Sequence, residues 1–192
     1  MKSAILIHGW NTKSEYYDPD RPTASNDHWF PWLTKQLVLK DINTVSIEMP
    51  DGYYPKYDIW SKELGRYDLS DETALVGHSC GGGFLVRWLS ENPSRRVGKV
   101  VLVAPWLGLE PGDEPFDESF FDFEIRSNIA ENTTGLTVLI SDDDMKEVLD
   151  SVQILREKLV GARFRDFQGK GHFTLTSLGK PEFPELLQEI TV

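Results

Sequence analysis

A serine, an acidic run and a histidine occur in this chain in that order, each in a setting that could make it reactive. Gly77-His78-Ser79-Cys80-Gly81 fits G-x-S-x-G. In that pattern the glycines let the chain reverse so sharply that the serine takes a strained backbone conformation. Such a turn lifts the Ser79 hydroxyl clear and sets the Cys80 backbone N–H at a helix N-terminus, where a developing oxyanion can be held. The same five residues also suit a plain glycine-rich turn, so the flanks decide. Ala74-Leu75-Val76 is a short buried-strand run, and Phe84, Leu85, Trp88 and Leu89 repeat at helical spacing. A serine hydroxyl is a poor nucleophile near neutral pH, and histidine is the side chain suited to take its proton and return it to a leaving group. His172, in Gly169-Lys-Gly-His172-Phe173, is the candidate base. An acid must fix the imidazole tautomer, and Asp142, Asp143 and Asp144 stand together upstream. One of the three can orient His172 while the others cap the following helix or meet solvent.

The elements that must position these groups alternate. Strands are expected at about 4–7, 43–49, 74–76, 97–104, 136–140 and 163–167, the second alternating apolar with polar residues. Helical runs fall at about 28–39, with Asp27 as N-cap, through 67, after the elbow, at 145–160 with Gly161 as C-cap, and at 182–190. The alternation predicts an α/β fold, a doubly wound and mostly parallel sheet of about six strands with helices on both faces. Sites in such sheets lie at the carboxyl ends of strands, and Ser79, the aspartates and His172 each follow one. His8-Gly9-Trp10-Asn11 ends the first strand and is placed to give a second oxyanion N–H, from Trp10. His8 itself reads as a buried, hydrogen-bonded side chain. The segment 12–27 reads as a loop, and the aromatic run at 28–32 as core. The stretch 105–132, acidic and rich in phenylalanine, reads as a small lid or a loop-and-helix patch.

At 192 residues the chain suits one domain, 1–192, able to bury roughly 70% of its unfolded surface. A formal charge of −11, with no basic cluster, argues against nucleic acid and anionic membrane as partners. Cys80 is the single cysteine and has no internal disulfide partner, which together with the lack of a signal peptide or an apolar run of about 20 residues gives a cytoplasmic expectation.

The sequence resembles the YdeN-like family of small serine hydrolases, which includes retinoblastoma-binding protein 9, within the α/β-hydrolase superfamily. The resemblance rests on Ile7-His8-Gly9, His28-Trp29-Phe30-Pro31-Trp32-Leu33, Met49-Pro50, Gly77-His78-Ser79, Ser141-Asp142-Asp143-Asp144 and Gly171-His172-Phe173. It implies an α/β-hydrolase fold, Ser79 as nucleophile and His172 as base. It places the acid at Asp144, since the family's aspartate closes this run. Met145-Lys-Glu-Val stands where the family has a proline-containing turn, which leaves Asp143 as the alternative acid and Asp142 behind it.

The expected function is that of a serine hydrolase, carboxylesterase-like, needing no metal or cofactor and cleaving a small uncharged ester, thioester or amide through an acyl-enzyme. The alternative is a catalytically weak or inactive scaffold of the same fold acting as a protein-binding module, although nothing in the sequence indicates a protein partner. A nucleotide-binding reading of Gly77 to Gly83 fails because neither G-x-G-x-x-G nor Gly-Lys-Ser/Thr is present there.

Overall fold

Short apolar runs rich in valine, isoleucine and leucine form the central strands of the computed structural model, which describes residues 1–108 and 116–192, and more polar segments form its two edge strands. They are β1 (Ser3–Ile7), β2 (Asn43–Ile47), β3 (Thr73–His78), β4 (Val97–Val103), β5 (Thr133–Ser141) and β6 (Arg163–Phe167). All neighbouring pairs are parallel, in the order β2-β1-β3-β4-β5-β6. The order reverses between β2 and β3, so the crevice at the carboxyl ends opens beside β1 and β3. β3 is buried along its whole length, as a strand covered on both faces must be.

The helices are α1 (Lys13–Tyr16), α2 (Phe30–Val38), α3 (Tyr57–Leu64), α4 (Cys80–Glu91), α5 (Lys146–Lys158), α6 (Leu175–Leu178) and α7 (Pro184–Thr191). Elbow helix α4 packs on β3 and β4, α2 on β2, and α7 on β4 and α2. Trp29 and Phe30 stack in the core, as the aromatic run implied, with ring centroids 4.1 Å apart. Six strands with flanking helices in this order form the α/β-hydrolase fold.

Three local readings change. The segment 12–27 is not a plain loop: Thr12 and Glu15 form a reciprocal capping box that starts α1, and a 3-10 turn follows at Ala24–Asn26. Asp27 does not cap α2. Its carboxylate accepts the His28 N–H at 2.6 Å, His28 sits at φ 52°, and the helix starts two residues later. α5 ends at Lys158 with Leu159 as C-cap, so Gly161, at φ 79°, serves the turn into β6 rather than the cap.

Of the stretch 105–132, residues 109–115 lie outside the described residues. The remainder includes 3-10 turns at Glu118–Phe121 and Ile129–Asn132. The first is tied down at its centre. Phe120 is buried, and Arg87 of α4 donates to the carbonyls of Ser119 and Phe120 while stacking on Tyr57 at 3.7 Å.

Candidate active site

Between β3 and α4 the backbone of Ser79 takes φ 53° and ψ −120°, a region costing a non-glycine residue about 1–3 kcal/mol. The turn is enforced from both sides. A Cβ on Gly77 would lie 2.5 Å from the Gly81 carbonyl oxygen, and one on Gly81 would lie 2.4 Å from that of His8. Only glycine allows strand and helix this close. The strained peptide is then held in place: Ser79 N–H donates to Val103 O at 2.9 Å, and Ser79 O accepts from Gly83 and Trp106, each at 3.1 Å. Cys80 begins the helix fully buried, and burial pushes its thiol well above its ordinary pKa, so it packs as a small neutral hydrophobe.

The loop after β1 lies against the elbow, with a Cβ on Gly9 only 3.0 Å from Ser79 Cβ. His8 is the strut beneath it. Met49 N–H donates to His8 Nε2 at 2.8 Å, so the ring proton is on Nδ1, which donates to Gly9 O at 2.6 Å. Burial lowers the His8 pKa and keeps the ring neutral. Farther along, Trp10 indole N–H donates to Tyr53 O at 2.9 Å, and Asn11 N–H to Gly52 O at 3.1 Å. Among the described residues, the main-chain N–H groups of Trp10 and Cys80 have no protein acceptor.

The structure pairs Asp144 with His172: Oδ1 lies 2.9 Å from the ring Nδ1, and the carboxylate is fully buried. Oδ1 also accepts Met145 N–H at 2.7 Å, while Oδ2 is buried with no protein partner. The other two aspartates neither cap α5, whose N-cap Met145 lacks any side-chain cap, nor stand idle in solvent. Asp142 Oδ1 accepts Gly169 N–H at 3.0 Å, and Ser141 Oγ accepts Lys170 N–H at 2.8 Å. Asp143 Oδ1 accepts Gly171 N–H at 2.8 Å and the Ser141 hydroxyl at 2.6 Å. The Ser141 hydroxyl and Gly171 N–H hold the Asp143 carboxyl below its ordinary range. The acidic run is thus a template for the loop that carries His172, the expected base. Its last residue takes the ring and the earlier ones take the backbone.

Ser79 and His172 face one cavity of about 400 Å³, with no direct hydrogen bond between their side chains among the described residues. Its wall also carries Trp10, Asn11, Thr174, Thr176 and, from the segment first read as a loop, Glu15, Arg21 and Asp27. Arg21 pairs with Glu15 at 2.6 Å and reaches Asp27 at 3.7 Å, so two carboxylates face one guanidinium. His28, also in the wall, accepts Leu175 N–H on Nδ1 at 3.3 Å and is held below its ordinary pKa, chiefly by burial. The sequence reading missed this wall; the Thr12-x-x-Glu15 capping box was the available signal for its first turn. A larger cavity, about 500 Å³ and lined by Lys99, Arg163, Arg165 and Glu189, contains none of the candidate residues. Among the described residues no three His, Cys, Asp or Glu side chains gather as a metal site, and no helix is long and apolar enough to cross a membrane.

Residues 4–190 match the family model described as Serine hydrolase. The chain belongs to that family. It is 27% identical over 175 residues to YdeN of Bacillus subtilis (strain 168), covering 90% of this chain and 86% of that protein. The crystal structure of the ydeN gene product superposes with a TM-score of 0.75 at 24% identity, covering 100% of this chain and 97% of that one. Est1E from Butyrivibrio proteoclasticus shares the fold at a TM-score of 0.62 and 12% identity, over 99% of this chain and 88% of its own. The chain is thus a serine hydrolase by family, similar to YdeN and of α/β-hydrolase fold, and hydrolysis is the function this membership supports.

Proposed function

We propose that the protein hydrolyses a small ester, thioester or amide through an acyl-enzyme on Ser79, with His172 as base and Asp144 as its orienting acid. The observation that carries this reading is the elbow serine facing the same cavity as a histidine whose far nitrogen meets a buried aspartate. Asp144 accepts a hydrogen bond from His172 Nδ1–H and holds that tautomer, which leaves the Nε2 lone pair free to take the Ser79 proton. Ser79 Oγ then bonds to the substrate carbonyl carbon, and the carbonyl oxygen becomes an oxyanion met by the Cys80 and Trp10 N–H groups. Collapse expels the leaving group, which takes the proton from His172. Water, deprotonated by His172, attacks the acyl-enzyme in turn and restores the serine.

The size and polarity of the cavity support a short acyl group with a polar or uncharged leaving group. Glu15 and Asp27 in its wall disfavour anionic substrates. The buried, unpaired Cys80 agrees with a reducing, cytoplasmic setting. Intact-mass spectrometry during turnover of p-nitrophenyl acetate tests the scheme. A Ser79-linked acetyl adduct, absent in Ser79→Ala, is expected. Turnover unchanged in Ser79→Ala would refute it.

A further inference from the structure

His78 has no place in the proton transfers above, yet it is buried to 3% exposure directly before the nucleophile. Its Nε2 lies 2.8 Å from the main-chain oxygen of His172. A carbonyl only accepts, so Nε2 carries the proton. The ring is neutral, because burial and the neighbouring imidazoles of His172 and His28 hold its pKa well below the ordinary value. It packs edge-on to Trp29 and against the His172 ring, with centroids 5.8 and 4.9 Å away.

We infer that His78 is a positioning residue whose Nε2–H holds the main-chain carbonyl of His172 and thereby sets the base over the adjacent nucleophile. The inference rests on Ser79 and His172 being nucleophile and base. The loop that carries His172 follows edge strand β6 and has left-handed backbone at Gly169, Gly171 and Phe173, so it has little secondary structure to fix it. Ser141, Asp142 and Asp143 hold its N–H groups from the acid side. His78 holds its carbonyl from the nucleophile side. Consecutive Cα atoms are about 3.8 Å apart, so an anchor on residue 78 moves with Ser79. Without it the His172 ring keeps Asp144 but is free to swing about that contact. A misplacement of about 1 Å in such a group can cost 10²-fold in rate.

The test is the rate of Ser79 modification by a small fluorophosphonate, scored for rate constant and final fraction modified, in wild type, His78→Phe and His78→Gln. Phenylalanine suits the aromatic surroundings and removes the donor; glutamine keeps an N–H at similar reach. The expected result is full modification of His78→Phe at a rate about 10²-fold below wild type, with His78→Gln within about tenfold of wild type. A partial final fraction at the wild-type rate would mean a purely structural role and overturn the inference. Equal rates in wild type and His78→Phe, or equally slow rates in both variants, would also overturn it. An unmodified wild type would instead refute the nucleophile assignment itself. Should neither variant fold, the imidazole ¹⁵N spectrum of the wild type decides: a His78 ring protonated on Nε2 supports the anchor, and one protonated on Nδ1 alone contradicts it.

Discussion

The two loops that bring Ser79 and His172 to one cavity are built on different principles. The elbow has a local pattern, two glycines, a strained serine and a helix start within seven residues of chain, and it is clamped by backbone: Gly81 against the exit of β1, and Ser79 on Val103 and Trp106. The base loop is a tertiary object. Its amides are held by side chains 27 to 29 residues away, and its His172 carbonyl by a ring 94 residues away. The first should fail by failing to fold, and the second by losing rate while staying folded.

The largest effect is expected at the elbow. Gly81→Ala puts a Cβ 2.4 Å from the His8 carbonyl oxygen and 2.6 Å from that of Ile7, both backbone atoms of a central strand or its exit. Such a clash belongs with the exceptional substitutions costing about 4 kcal/mol or more. Thermal unfolding should show little or no native protein, and a melting temperature near wild type would break the contrast.

In the base loop the aspartates should separate by kind. Asp144→Asn removes the group that fixes the His172 tautomer, and turnover should fall about 10⁴-fold, as in a comparable triad, with the fold intact by circular dichroism. Asp143→Ala deletes the acceptor for Gly171 N–H and for the Ser141 hydroxyl, so kcat should fall by about tenfold with KM unchanged, a modest part of what a misplacement of about 1 Å can cost. Asp143→Asn retains an acceptor oxygen and should lie closer to wild type. If Asp143→Asn were the inactive variant, the pairing of His172 with Asp144 would not be the working one.

A smaller effect sharpens the comparison through pH. His8, under the loop that follows β1, and His78, beside the His172 carbonyl, are both held neutral by burial, with folded pKa values below 6.5. As pH falls below 6.5 the unfolded chain therefore binds more protons than the folded one, and stability declines. Each group contributes at most about 1.4 kcal/mol per pH unit. Denaturant midpoints between pH 7.5 and 5.5 should fall, and His78→Phe should flatten that slope. A slope identical to wild type would mean that His78 is not neutral by burial in the folded chain.

The same division explains what the sequence revealed. Strand β3 and the elbow after it are nearly legible, because hydrophobic runs and glycine spacing are local signals, and the bounds of β6 match expectation although it is no apolar run. Asp144 was reachable through family resemblance but not from the residues alone, since three adjacent aspartates look alike until the loop that each one binds is present. His78 carries no local mark of its contact with His172. Glu15 enters the cavity wall on α1, a helix of four residues that only its capping box announces, and Arg21 follows beyond the helix by pairing with it.

Ser79, at the strained apex, is the proposed nucleophile, with Cys80 beside it inert. Reaction of the intact protein with a fluorophosphonate, followed by peptide mapping of the adduct, tests it most directly. One adduct per chain on Ser79, lost in Ser79→Ala and kept in Cys80→Ala, is the predicted result. An adduct that persists in Ser79→Ala or disappears in Cys80→Ala would contradict it.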